Sequence, residues 1–149
     1  MPVFSPTVAI GAGPQEVTAG ESDLIVLTQS CDLEQQKVRL VATCLLYALA
    51  EFEATNPAFA KKGRWNEVLR GRVEGLHLLA SPTTPADNRA ALVVDFREIY
   101  SLPFDYLTAQ AASLGERWRL RSPFLEHFSQ AFARFFMRVG LPSSIPPFP

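Results

Sequence analysis

The chain has few residues suited to catalysis or metal binding: two cysteines and two histidines among 149 residues. Two thiols, Cys31 and Cys44, are too few for a disulfide framework, and a reducing cytoplasm is the expected compartment. A zinc site would need Cys31, Cys44, His77 and Asp32 to converge without any close-spaced ligand pair, so neither a metal nor a cofactor is expected. An excess of one charge is also lacking. Fourteen Lys and Arg face fifteen Asp and Glu, a net charge of −1, so no overall field draws the chain to nucleic acid or anionic lipid. Any such binding must come from a local cluster. No apolar run approaches the roughly 18–20 residues that span a bilayer, which excludes a membrane partner. The opening Met1-Pro-Val-Phe-Ser-Pro6 has no basic leader and no continuous apolar stretch, so a secretory signal is not expected.

The composition that is present belongs to a folded protein. Hydrophobic residues make up 48% and charged residues 19%, a balance that supports one buried core and leaves little room for a second. Residues 1–20 are small and polar and read as an extension or edge strand, with Val8-Ala-Ile10 its most strand-like part. Residues 21–142 form a single predicted domain, and 143–149 a proline-rich tail.

Within the domain, apolar runs predict strands over 24–30, 37–46, 75–79 and 90–99. Helices are expected over 47–54, over 65–70 with Gly71 as the stop, and from Pro103 to Leu114. Arg117-Trp-Arg-Leu-Arg121 alternates and predicts a short strand with one basic face, which a solvated edge that deters aggregation also explains. Phe124, Leu125, Phe128, Phe132, Phe135, Phe136 and Val139 recur at three- and four-residue spacing. They predict a closing helix from Pro123 to Gly140 with a wide buried stripe. Its opposite face, with His127, Gln130, Arg134 and Arg138, reads as solvated surface.

Two groups of residues are candidates for function. Cys31 and Asp32 stand where the first predicted central strand ends; a thiol there becomes a nucleophile if a base lowers its pKa, and His77 is the available base. The plain alternative is a small buried residue beside a turn-capping carboxylate. The second group is the basic loop Lys61-Lys-Gly-Arg-Trp65, continued by Arg70 and Arg72. Cations with one aromatic ring grip phosphate and stack a single-stranded base, although a solvated loop with Trp65 tucked into the core uses the same letters.

Strands, basic loop, further strands and a closing helix together predict an α+β fold, a small partly open barrel with short helices in its connections. Here the chain resembles the MazF/PemK toxin superfamily, which has an SH3-like barrel. The resemblance rests on Leu24–Ser30 with Lys37–Leu46 as paired central strands, on Asn88-Arg-Ala-Ala-Leu-Val-Val-Asp-Phe-Arg-Glu-Ile99, and on Arg119-Leu-Arg-Ser-Pro-Phe-Leu-Glu126. The segment Thr28-Gln-Ser-Cys-Asp-Leu33 is also similar to a group of uncharacterised bacterial proteins with a Ser-Gln-x-Cys-Asp motif. The resemblance implies a homodimeric, metal-independent endoribonuclease neutralised by an antitoxin.

The chain departs from that pattern where catalysis is concerned. Glu21-Ser-Asp23 stands where the family has an arginine, and Tyr47, or Thr43 on a shifted register, where it has Ser or Thr. The expectation is therefore a module that binds RNA or a protein partner, an antitoxin-like or defence-complex subunit, with catalysis lost. Two alternatives stay open: an active ribonuclease using Arg64 or Arg70 with His77, and a thiol-dependent enzyme using Cys31. Both central expectations place the Cys31–Asp32 corner and the Arg64 loop on one rim.

Overall fold

The chain is organised by two long antiparallel strands that pair along most of their length. The structure, a computed structural model, describes residues 2–4 and 19–137. In chain order the strands are β1 (Pro2–Phe4), β2 (Ala19–Glu21), β3 (Asp23–Val26), β4 (Leu40–Ala48), β5 (Leu76–Leu79) and β6 (Leu92–Pro103). The helices are α1 (Ser30–Glu34), α2 (Leu49–Thr55), α3 (Arg64–Leu69), α4 (Phe104–Leu114) and α5 (Phe124–Phe136), with 3-10 turns at Pro57–Ala60 and Asn88–Ala90. β1 and β2 form a separate two-stranded pair, and the other four strands make one open antiparallel sheet in the order β3-β4-β6-β5. The fold class is α+β. The expected strand at Val8–Ile10, the end of the last helix at Gly140 and the tail from residue 143 lie outside the described residues.

Alternation along the strands sends neighbouring residues to opposite faces of this sheet. Val93 and Leu76 meet Leu49, Phe52 and Val68 on one face, where Tyr47, Phe59, Trp65 and Leu78 join them. Val94 and Leu79 meet Cys44, Phe96 and Phe128 on the other, with Phe132 and Phe135 of α5 alongside. One face is therefore covered by α2 and α3, and the other by α5. The first is knit by edge-on rings: Phe52 lies 5.7 Å from Tyr47, 5.3 Å from Phe59 and 5.8 Å from Trp65, centroid to centroid. Such pairs each add about 0.5–1.5 kcal/mol beyond the area they bury.

The sheet bends where β6 outgrows its partner. Cys44 pairs with Ile99 and Leu46 with Val94, so Leu45 alone opposes the run Asp95 to Glu98. A bulge of this kind kinks the strand, and Asp95 holds the kink. Its carboxylate accepts the Arg97 backbone N–H at 2.9 Å and the Arg97 Nε–H at 2.7 Å, and pairs with the Arg97 guanidinium. Asp95 is buried, and these donors are what make an ionised carboxylate tolerable there. Phe96 N–H meanwhile donates to Gly75 O at 2.7 Å, tying the kink to the start of β5.

Several elements differ from the sequence expectation. The strand predicted over 24–30 stops at Val26, because Thr28 Oγ1 accepts the Ala42 N–H at 2.9 Å and ends the ladder with a side chain. The chain then turns into α1, so Cys31 and Asp32 sit on a short helix. Tyr47 and Ala48, expected in a helix, extend β4 by pairing with Val93 and Leu92; tertiary pairing overrides helical composition. Arg117 to Arg121 forms no strand: among the described residues no strand pairs with the segment, and Leu120 packs beside the α5 cluster instead. The predicted stripe of α5 is covered only in part. Phe128 is 3% exposed, whereas Phe124 is 62% and Phe136 48% exposed.

Candidate functional site

Gly71 fixes where the site begins. It ends α3 with φ +67°, its N–H donating to Val68 O at 2.9 Å while Arg72 N–H donates to Glu67 O at 2.9 Å. That is a Schellman motif, in which glycine accepts the left-handed angle at no steric cost. The turn sends the chain through Val73 and Glu74 to Gly75, which is buried at φ +78° and opens β5. A Cβ at Gly75 would lie 3.0 Å from Arg97 Cγ and 3.4 Å from Phe135 Cε2. The absence of a side chain there lets α5 approach the strand.

Between this segment and α5 runs a groove of about 460 Å³. Arg70, Glu74 and His77 line one wall, His127, Gln130 and Arg134 the other, and Phe96 and Phe135 belong to its apolar part. His77 lies edge-on to Phe128 at 5.6 Å and stacked with Phe96 at 6.1 Å. Burial pushes its pKa down, and the nearby His127 charge pushes it further, so at neutral pH His77 is an uncharged imidazole able both to donate and to accept.

The basic loop at the start of α3 is more committed to structure than its letters imply. Trp65 Nε1–H donates to Glu53 Oε1 at 2.8 Å, and its ring packs 5.1 Å from Phe59. The Arg64 guanidinium lies over the Phe59 ring at 5.1 Å. Arg70 and Arg72 both reach Glu67, at 3.5 and 3.2 Å; pairs this exposed are worth little and are readily exchanged. Lys61 and Lys62 are exposed and, with Arg64 and Glu67, border a shallow depression.

Cys31 and Asp32 stand apart from both regions. Cys31 is exposed, its Sγ 3.6 Å from Gln29 Oε1 and 4.0 Å from Asp32 Oδ1. α1 follows β3, one edge of the sheet, whereas His77 is on β5, the other edge. Three strand spacings, roughly 14 Å, separate those edges. Arg64 is as distant in the other direction. Leu27 bonds to Ala42 near the start of β4, whereas α2 and α3 follow its end at Ala48, and a nine-residue strand is roughly 25 Å long. The common rim expected for Cys31 and Arg64 is therefore not formed, and His77 is not beside the thiol. The other thiol, Cys44, is fully buried, and burial with the Asp95 and Glu98 charges pushes its pKa up to about 12. Among the described residues no three His, Cys, Asp or Glu side chains gather as metal ligands, and no helix is long and apolar enough to cross a membrane.

The structure thus brings Arg70 and His77 together and adds three residues that sequence reasoning assigned to solvent. His127, Gln130 and Arg134 share one α5 face by their three- and four-residue spacing, which the sequence does show. Their facing wall is tertiary. Comparison of the chain with protein families, with curated proteins and with solved structures finds no match.

Proposed function

We propose that the chain is a divergent SH3-like barrel of the MazF/PemK kind that binds single-stranded RNA in a bacterial toxin–antitoxin or defence system, its catalytic activity lost. The observation that carries this reading is the gathering of cations along α3. Lys61, Lys62 and Arg64 stand at its start, and Arg70, with Arg134 across the groove, at its end. Phosphates 6–7 Å apart along an extended strand are read by such a line of cations without any overall positive charge on the protein. The antiparallel pairing of β3 with β4 supports the barrel assignment, and the absence of arginine at residues 21–23 supports lost cleavage. The proposal takes the chain as cytoplasmic and self-pairing, which light scattering checks.

The test is fluorescence anisotropy with a labelled single-stranded RNA at two salt concentrations. Binding should weaken steeply with salt, and the K61A/K62A double variant should shallow the slope by about two. A salt-independent interaction, or capture of a protein partner by the same surface without RNA, overturns the RNA reading. A second reading, an active ribonuclease, is favoured by the proximity of Arg70 to the uncharged His77. New RNA ends that depend on both residues, found by sequencing, would establish it in place of the binding reading.

A further inference from the structure

We propose that the groove between β5 and α5 seats a phosphate monoester, gripped by the guanidiniums of Arg70 and Arg134 from its two walls. This deepens the RNA-binding reading and rests on it only for the source of the phosphate.

The chemistry of the lining selects the ligand. Two guanidiniums face one carboxylate, Glu74, across a groove of about 460 Å³. That volume lies toward the lower end for small-molecule sites, large enough for one nucleotide unit and too small for a folded partner. Guanidinium forks match the oxygens of a phosphate, and two of them from separate elements match the two charges of a monoester better than the single charge of a diester or carboxylate. His127 and Gln130 stand beside Arg134 on the same wall and supply further donors. His77, backed by the buried Phe96 ring, is the partly exposed ring against which a sugar or base can lie.

Glu67 is the competitor for Arg70. Their contact is 3.5 Å and mostly solvent-exposed, so a phosphate displaces it at small cost. Arg72 is 3.2 Å from the same carboxylate and keeps Glu67 paired after Arg70 has turned. Arg134 is exposed on α5, and no ion pair engages it among the described residues. The site therefore offers an uncommitted guanidinium on one wall and an exchangeable one on the other.

A free mononucleotide and the 5′ end of an RNA carry the same monoester. The experiment uses adenosine monophosphate, a 5′-phosphorylated single-stranded RNA and the same RNA with a 5′ hydroxyl. Binding is measured by anisotropy, and the imidazole resonances of His77 and His127 are followed by NMR. The expected result is tighter binding of the phosphorylated RNA, by about tenfold, the size of one charge-assisted hydrogen bond. His127 should shift with that RNA and with the mononucleotide. R134Q should abolish the preference and the shift, weakening the hydroxyl RNA only by the loss of one cation, and R134K should restore part of both. Equal binding of the two RNAs, with no His127 shift from either phosphate, overturns the groove site and leaves RNA binding standing. A mononucleotide shift with no RNA binding overturns the RNA reading and keeps the groove site, with a free nucleotide as its ligand.

Discussion

The two faces of the sheet are closed in opposite ways. On one, the end of β4, the 3-10 turn that follows α2, and α3 supply three aromatic rings around Phe52 of α2, and a lock lies outside them. Glu53 accepts from Trp65 and takes both arms of the Arg89 guanidinium, at 2.9 and 2.7 Å. On the other face a single helix, α5, rests on Phe128, while Phe124 and Leu125 before it and Phe136 after it stay exposed. A face sealed by rings and an ion pair keeps only a shallow depression at the start of α3, beside Lys61 and Lys62. The α5 face has a groove because α5 does not close against the segment from Arg70 to His77. The lesson is that the histidines and Arg134 became a site through incomplete packing beside them.

The largest expected effect tests whether α5 is as singly held as it looks. F128A should cost about 3–5 kcal/mol, the range for deleting a buried aromatic ring, measured by denaturant unfolding. F52A removes a comparable ring from the opposite face. The two should differ in cooperativity: in F128A the α5 amides should exchange hydrogen well before those of β4 and β6, whereas F52A should weaken all of them together. Uniform exchange in F128A would show that α5 and the sheet open as one unit and would erase the contrast.

Next in size is G75A. A methyl group there meets Arg97 Cγ at 3.0 Å in a backbone conformation with φ +78°, and the conformational cost alone is about 1–2 kcal/mol. The Gly71→Ala change carries the conformational cost without any neighbour within 4 Å. The difference in unfolding free energy between the two variants measures how tightly Arg97 of β6, with Phe135 of α5 beyond it, crowds Gly75. Equal losses would mean that the approach of α5 is not what requires Gly75.

How much of this was legible depends on whether a residue's role is local. The helical course of α5 from Phe124 to Phe136, the strand around Val93 and the Gly71 stop follow from spacing and from one residue's backbone preference. The width of the buried α5 stripe does not: Phe128 is buried but Phe124 and Phe136 are exposed. The end of β3 was not legible, because Thr28 acts through Ala42, fourteen positions away. The kink in β6 was equally hidden: Asp95-Phe-Arg-Glu98 alternates like a plain strand, and only the register against Leu45 shows the excess. Arg117 to Arg121 has strand spacing, but no strand among the described residues pairs with it. For the site, the residue types Arg70 and His77 were readable, whereas their meeting with His127 and Arg134 depends on how α5 crosses the sheet. Cys31 drew notice because it was placed at a strand end, and that position dissolved when α1 formed.

A smaller effect separates the faces by acidity. His77 has its pKa lowered by burial and by His127. The unfolded chain therefore takes up a proton near pH 6.5 that the folded chain still refuses. Stability contributed by the neutral imidazole is complete above pH 6.5 and is lost as pH falls from there toward the lowered folded value. Other groups facing this one are Arg134 and His127 on α5 and Glu74 and Arg70 on the preceding segment. H77Q should flatten the pH dependence of unfolding just below pH 6.5, read as a loss of slope in a melting-temperature profile. An unchanged slope would show that His77 is not the group responsible for it.

The smallest effect belongs to the sealed face and lies in a different pH window. The Arg89 fork, joined by the Trp65 N–H, holds the Glu53 carboxyl down to about 2 from an ordinary 4.5. A lowered carboxyl stabilises the fold above its unfolded pKa, so this contribution is complete above about pH 4.5 and fades as pH falls toward 2. E53Q keeps an acceptor for Trp65 but removes the charge that Arg89 grips. Its melting temperature should fall below that of the native chain at pH 6 and converge with it near pH 2, with little change between pH 7 and 5.5, where His77 dominates. High salt should shrink the difference, because Arg89 is largely exposed. If E53Q instead lost stability equally at all pH values, the Trp65 hydrogen bond and ring packing would be carrying the lock, and the sealed face would owe its closure to shape without help from charge.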